Sequence, residues 1–229
     1  MNIAGNIANI EERIQRACNN AGRKRDEIVL MGVTKFISLE RIKEAYQSGI
    51  RCFGESKVKE AAEKFDSFKI DHPEAQLHLI GSLQRNKSKQ AALFFDCIQS
   101  VDRDELVDEL VKHSMFRAEP LKVLLELHTG EDTKSGYADL DALYKAAEKI
   151  LKSGNLKPAG LMTMAPYTTD DNLIRLSFRQ LRNAQKELEK RFPPYENWSC
   201  LSMGMSNDFE TAIEEGSNLL RIGGAIFKD

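Results

Sequence analysis

A lysine ends the first long apolar run of the sequence, "IVLMGVTK", in which Lys35 follows residues typical of a buried strand. A lysine at the end of a strand usually extends its ammonium group into water. In a partly desolvated site, however, its pKa falls, and the neutral amine can attack an aldehyde to form a Schiff base. Lys35 is therefore a candidate nucleophile, and an exposed lysine at a strand end is the alternative.

A second group of candidate residues lies near the C-terminus. The segment "MGMSNDFETAIEEG" places Ser206 and Asn207 just before a predicted helix, and Arg221 precedes Gly223 and Gly224. Hydroxyl and backbone N–H groups bind phosphate, and glycines let the backbone approach a ligand closely; in the alternative, Ser206 or Asn207 only caps the helix. A ligand that carries both an aldehyde and a phosphate would use both groups of residues. Pyridoxal 5'-phosphate is such a ligand, and Arg221 could then face its pyridine nitrogen.

Eight short apolar runs alternate with amphipathic helical segments along the chain. This alternation is typical of a parallel sheet, and eight units in 229 residues predict a (β/α)8 TIM-type barrel, with residues 1–229 as a single domain. An extra N-terminal helix is predicted from the spacing of four isoleucines. A doubly wound open sheet is the alternative, but no GxGxxG motif follows the first strand. The apolar runs are "IVLMGVT", "RCFG", "LHLIG", "CIQSV", "LKVLLELH", "LKPAGLMT", "SCLSM" and "LLRIGG".

Glycines, hydroxyl groups and other polar residues collect directly after these runs. They include "GES" after the second, "GSLQRNK" after the third, "HTGEDTKSG" after the fifth and "MTMAP" after the sixth. Active sites of such barrels lie at the C-terminal ends of the strands. We therefore expect Lys35 and Arg221 to face one cavity at that end.

The composition argues against several classes of protein. The formal net charge is −2, and no long basic block is present, so a nucleic-acid partner is not expected. The four cysteines form no CxxC pair, which predicts neither a zinc site nor a redox dithiol. No segment has the length or composition of a membrane span or a signal peptide, so a cytoplasmic protein without membrane contact is predicted.

The chain resembles, along nearly its whole length, the pyridoxal phosphate homeostasis proteins (YggS/PROSC-like family), whose fold is similar to the barrel domain of alanine racemase. The motifs that carry this resemblance are "GVTK", "RCFGES", "HLIGSLQRNK", "KSG", "GLMTMAP" and "LSMGMSNDFETAIEEGSNLLRIGGAIF". The resemblance implies a largely monomeric protein that holds pyridoxal phosphate as a covalent aldimine on Lys35. It also implies a role in vitamin B6 homeostasis, with apo forms of pyridoxal phosphate enzymes as transient recipients. The expected cofactor-binding residues are Lys35, Ser56, Lys134 as a secondary contact, Met162, Ser202, Ser206, Arg221, Gly223 and Gly224, with the phosphate among Ser202, Ser206, Gly223 and Gly224.

The sequence departs from the family pattern at four positions. Ser56 and His128 stand where asparagine is usual, Ser82 where proline is common, and Gly224 where a hydroxyl residue is common. The first two departures put side-chain contacts to the cofactor ring in doubt, and the last removes a hydroxyl donor. None of them affects Lys35 or Arg221.

The resemblance leaves the question of catalysis open. A racemase needs a second acid or base on the other face of its substrate. In alanine racemase a partner subunit supplies this group, and each chain also has an additional β domain. No such domain is expected after the eighth strand here. Tyr137 and Tyr167 are the remaining candidate proton donors, so a carrier is favoured over the alternative, a single-domain amino-acid racemase. A sugar-phosphate enzyme that forms its Schiff base with substrate is a third reading.

Overall fold

A closed barrel of eight parallel strands forms the body of the molecule, as the sequence predicts. The computed structural model describes residues 2–130, 135–193 and 198–228. Within these ranges the strands pair in chain order from first to last, and the eighth pairs with the first. The elements are α1 (Ile3–Asn20), β1 (Val29–Val33), α2 (Leu39–Gln47), β2 (Cys52–Glu55), α3 (Val58–Asp71), β3 (Gln76–Leu79), α4 (Ser88–Phe94), β4 (Cys97–Val101), α5 (Asp104–Ser114), β5 (Leu121–Glu126), α6 (Leu140–Ser153), β6 (Leu156–Met162), α7 (Asp171–Arg191), β7 (Cys200–Ser202), α8 (Phe209–Glu214), β8 (Leu219–Ile222) and α9 (Gly224–Phe227).

Side chains alternate between two cores along each strand, because successive residues of a strand point to opposite faces. In β5, Val123 and Leu125 join the main hydrophobic core that the helices cover. Leu124, between them, packs with Cys97 and Met162 of neighbouring strands in a separate cluster inside the barrel. The same alternation directs the polar residues Gln99, Ser202 and Arg221 into the barrel, and these carry the site described below.

The extra N-terminal helix, α1, packs on the outside of the barrel beside α2, α8 and α9. Its isoleucines at positions 3, 7, 10 and 14 are buried, and Asn2 caps the helix by accepting a hydrogen bond from Gly5 N. Arg13 of α1 pairs with Glu210 of α8 at 2.7 Å. The helix therefore supports the segment that follows β7. None of the described helices combines the length and apolar character that crossing a membrane requires.

Candidate functional site

A cavity of about 530 Å³ opens at the C-terminal ends of the strands. This volume falls within the range typical of small-molecule sites. The cavity brings together most of the residues that the sequence marked as candidates. Those in its lining are Lys35, Ser56, Ser206, Arg221, Gly223 and Gly224.

Lys35 lies two residues beyond the end of β1, with an exposed side chain at the mouth of the cavity. The preceding residue, Thr34, is fully buried, and its N–H donates to Gly54 O at 2.9 Å. The next residue, Phe36, has a positive φ of 64°. Ile37 N donates to Thr34 O at 3.0 Å and closes a four-residue turn with Lys35 at its second position. Lys35 is thus presented by a turn rather than by the strand itself.

Arg221 lies inside the barrel beneath the cavity and is buried, although its side chain reaches the cavity wall. Its guanidinium donates to Ser202 O and Ser202 Oγ, both at 2.7 Å, and to Thr163 O at 2.8 Å. Within the described residues, no carboxylate forms an ion pair with it. Burial lowers the pKa of Arg221 to about 10, so the group remains a cation at neutral pH. The three acceptor oxygens are neutral, while the nearby Asp208 and Glu126 carboxylates raise its pKa and oppose the effect of burial. Such a buried cation suits an electron-rich ligand atom.

A chain of hydrogen bonds continues from Arg221 across the barrel interior. Ser202 Oγ donates to Gln99 Oε1 at 2.6 Å, and Gln99 Nε2 lies 2.8 Å from His78 Nδ1. Because Gln99 uses its oxygen toward Ser202, its amide group faces His78 as a donor, so Nδ1 of His78 is the acceptor. Burial lowers the pKa of His78 to about 4, which keeps the imidazole neutral. The chain therefore fixes the orientation of Arg221 without adding charge.

The loops after β7 and β8 meet at the cavity, and the second of them lies beside the end of β1. Ala225 N donates to Ser206 Oγ at 3.4 Å, which joins the loop after β7 to the start of α9. Asp208 Oδ1 accepts from Met205 N at 2.6 Å and tightens the same loop. A Cβ added to Gly223 would lie 3.3 Å from Val33 Cβ, so a side chain there would press on the end of β1. Ser206 and Gly223 thus border the cavity where backbone approaches closely.

Two of the predicted cofactor residues lie elsewhere, and a third cannot be placed. Ser202 and Met162 do not line the cavity: Ser202 is committed to Gln99 and Arg221, and Met162 belongs to the interior cluster. Met164, two residues further along, lines the cavity instead. Lys134 lies outside the described residues.

The two candidate proton donors, Tyr137 and Tyr167, lie in different surroundings. Tyr137 is buried, and its hydroxyl donates to Asp104 Oδ1 at 3.1 Å. Burial raises the pKa of Tyr137 above its ordinary value. Tyr167 lines the cavity mouth and is 87% exposed.

Sequence reasoning missed several buried polar groups near the cavity. Gln99 and His78 lie within apolar runs that predict strands. A polar residue inside such a run is the signal that could have marked them as part of a site. Glu126 ends β5, where its Oε1 accepts from Ser135, a cavity residue, at 2.7 Å. Its other carboxylate oxygen has no hydrogen-bond partner in the described part of the chain, and burial raises its pKa.

Comparison with known proteins identifies the family of the chain. The family model of the alanine racemase N-terminal domain matches residues 6–229. The pyridoxal phosphate homeostasis protein of Aquifex aeolicus is 36% identical over 230 residues, which cover 99% of this chain and 98% of the relative. That of Vibrio cholerae is 38% identical over 228 residues, covering 98% and 95%. The chain belongs to the pyridoxal phosphate homeostasis protein family.

A similar solved structure contains a ligand. PipY of Synechococcus elongatus, with pyridoxal phosphate bound, has a TM-score of 0.85 and 29% sequence identity to this chain, covering 98% of this chain and 99% of PipY. The fold and the family expected from the sequence are thus confirmed. The contacts of the individual site residues remain predictions.

Proposed function

We propose that this chain binds pyridoxal 5'-phosphate as an aldimine on Lys35 and serves in intracellular vitamin B6 homeostasis. The observation that carries the proposal is the meeting of the Lys35 amine, the buried Arg221 guanidinium and the Ser206, Gly223 and Gly224 loops in one cavity. These groups match the three functional parts of the cofactor, which are its aldehyde, its pyridine nitrogen and its phosphate. The name of the family and the pyridoxal phosphate bound to PipY support the same ligand.

In this proposal, the phosphate lies between the loops after β7 and β8. The Ser206 hydroxyl would donate to it, and Gly223 and Gly224 would let the backbone approach. Ser202, which the family likeness places near the phosphate, acts instead by holding Arg221. Ser56 faces the cavity from the other side, near Lys35.

The cofactor supplies an electrophilic aldehyde carbon and, when its ring nitrogen is protonated, an electron sink. Arg221 cannot act as the proton donor to that nitrogen, because it stays charged and gives up no proton near neutral pH. The ring would then be a weak electron sink. This electrostatic setting favours storage and delivery of the cofactor over catalysis.

A single-domain racemase is the less supported alternative. Of its two candidate proton donors, the Tyr137 hydroxyl is buried and donates to Asp104. Tyr167 remains at the cavity mouth. Exchange of the α-proton of added amino acids in D₂O tests this alternative directly, with Tyr167→Phe as the diagnostic variant.

As a carrier, the protein would act as a monomer and release its cofactor to apo enzymes. Lys35 sits at an exposed mouth, where a recipient or a free amine has access. Transfer can be measured as recovery of activity in an apo enzyme, and the mass in solution by light scattering.

The decisive experiment is the visible absorption spectrum of the protein before and after addition of pyridoxal phosphate, followed by borohydride reduction and peptide mapping. We expect a yellow aldimine band and a reduced adduct on Lys35. Lys35→Ala should lack both, whereas Lys59→Ala, which removes an exposed lysine of α3, should keep both. A wild-type protein that stays colourless with cofactor present would refute the proposal and favour an enzyme that acts on a phosphorylated substrate.

A further inference from the structure

The turn that presents Lys35 has an unusual residue at its third position. A positive φ at this position is characteristic of type II turns, where glycine or asparagine is normally found. Here the residue is Phe36, with φ 64° and a side chain that is 78% exposed. Residues with a Cβ rarely adopt this conformation, because it costs free energy. The Phe36 ring is so exposed that it buries little apolar surface to offset this cost. The exposed Lys57 ammonium lies over the ring, 5.5 Å from its centroid, but an exposed cation–π contact is weak, so another part of the molecule must also hold the turn.

A buried ion pair contacts this turn at its first residue. Lys64 Nζ, on α3, lies 2.5 Å from Glu55 Oε1 and donates to Thr34 O at 2.8 Å. Thr34 Oγ1 donates to the same Glu55 oxygen at 2.7 Å. Glu55 is fully buried, and its second oxygen has no hydrogen-bond partner within the part of the chain that the structure describes.

The Thr34 carbonyl is therefore shared between two donors, Lys64 Nζ and the Ile37 N–H that closes the turn. A charged donor fixes a carbonyl more firmly than a neutral one. If Lys64 were absent, the Thr34 peptide could rotate, the turn hydrogen bond would weaken, and Phe36 could relax to a negative φ. Lys35 lies between the two peptides that would rotate.

We propose that Glu55 and Lys64 are positioning residues that hold the strained turn so that the Lys35 amine faces the cavity. The inference rests on the proposed function, because it assumes that Lys35 is the amine that reacts. A purely structural role of the ion pair is the competing explanation. The two differ in one respect: a positioning role acts through the backbone conformation of Phe36.

The test uses the double variant Glu55→Gln/Lys64→Met, which removes both charges and leaves no lone buried charge. Two quantities are measured: hydrogen exchange of the Ile37 amide in the cofactor-free protein, and the rate at which the lysine-bound absorption band forms with saturating cofactor. We expect exchange to be about tenfold faster and band formation about tenfold slower, which is the scale set by the left-handed penalty of a residue with a Cβ.

Substitution of Phe36 in the same background separates the two explanations. Phe36→Gly should restore band formation to within about threefold of wild type, because glycine adopts a positive φ without penalty. Phe36→Ala removes the ring but keeps the penalty, so it should give no rescue. Equal rescue by both, or a folded double variant with wild-type exchange and band formation, would overturn the inference. A wild-type protein without a Lys35-dependent band would instead refute the proposed function, while the exchange measurement would still report on the turn.

Discussion

The two sides of the cavity are held in place by different means. On the lysine side, formed by Thr34 to Phe36 with Glu55 and Lys64, a buried ion pair holds a strained turn, and the Lys35 amine is exposed. On the arginine side, formed by Arg221, Ser202, Gln99 and His78, neutral hydrogen bonds hold a buried cation. Under the proposed function, this difference would correspond to two tasks. A group that must exchange its covalent partner needs access, whereas a group that only orients a ring can be locked in the interior.

Breaking the ion pair on the lysine side should produce the largest loss of stability. Lys64→Met leaves the Glu55 carboxylate buried without a counter-ion, which should reduce the free energy of unfolding by about 3–5 kcal/mol in urea titrations. Lys59→Met, which disrupts the exposed Lys59–Glu63 pair at 3.9 Å, is the control and should change it by less than about 0.5 kcal/mol. A loss below about 1 kcal/mol for Lys64→Met would mean that the pair does not stabilise this side.

The arginine side should instead respond to pH through His78. The folded protein keeps His78 neutral down to about pH 4, whereas a histidine in the unfolded chain takes up a proton near pH 6.5. The unfolded state thus binds more protons between these values, so stability should fall by about 3 kcal/mol as pH decreases through that window.

Unfolding curves of wild type and His78→Gln, measured from pH 7 to pH 4, test this prediction. A glutamine can accept the same hydrogen bond from Gln99 but does not titrate, so the difference between the two proteins should shrink or reverse at low pH. Glu126, whose raised pKa contributes with the opposite sign, is present in both proteins and cancels. Parallel curves would show that His78 does not titrate with unfolding.

Removal of the cation on the arginine side should affect the ligand more than the fold. Arg221→Met keeps an unbranched apolar stem but removes the charged donors, so we expect the dissociation constant for pyridoxal phosphate to rise by about ten- to a hundredfold. Arg85→Met, at an exposed ion pair with Glu109, serves as the control in fluorescence titrations. Unchanged affinity in Arg221→Met would remove Arg221 from the proposed binding site.

The sequence predicted the scaffold much better than the connections within the site. The alternation of apolar runs is sufficient for eight strands, and the C-terminal ends of the strands point to Lys35, Ser206, Arg221 and the glycines. The Phe36 turn could not be predicted, because its sequence "TKFI" contains no glycine to indicate a positive φ. The chain from Arg221 to His78 joins residues of four strands, and only the closed barrel brings them together across its interior. The sequence shows the polar residues within the apolar runs, but it does not show which of them form hydrogen bonds with each other.

The smallest predicted effect concerns the phosphate and compares two serines that line the same cavity on opposite sides. Ser206→Ala removes one hydroxyl donor beside Gly223 and Gly224, so the affinity for inorganic phosphate, measured as competition with pyridoxal phosphate, should fall by about two- to tenfold. Ser82→Ala removes a hydroxyl near Ser56 and Gly81 and should leave phosphate competition unchanged. If the two variants change the affinity for phosphate equally, the phosphate does not bind specifically at the loops after β7 and β8. A selective loss in Ser206→Ala would place the anion on the arginine side, and the aldehyde would then be left to face Lys35.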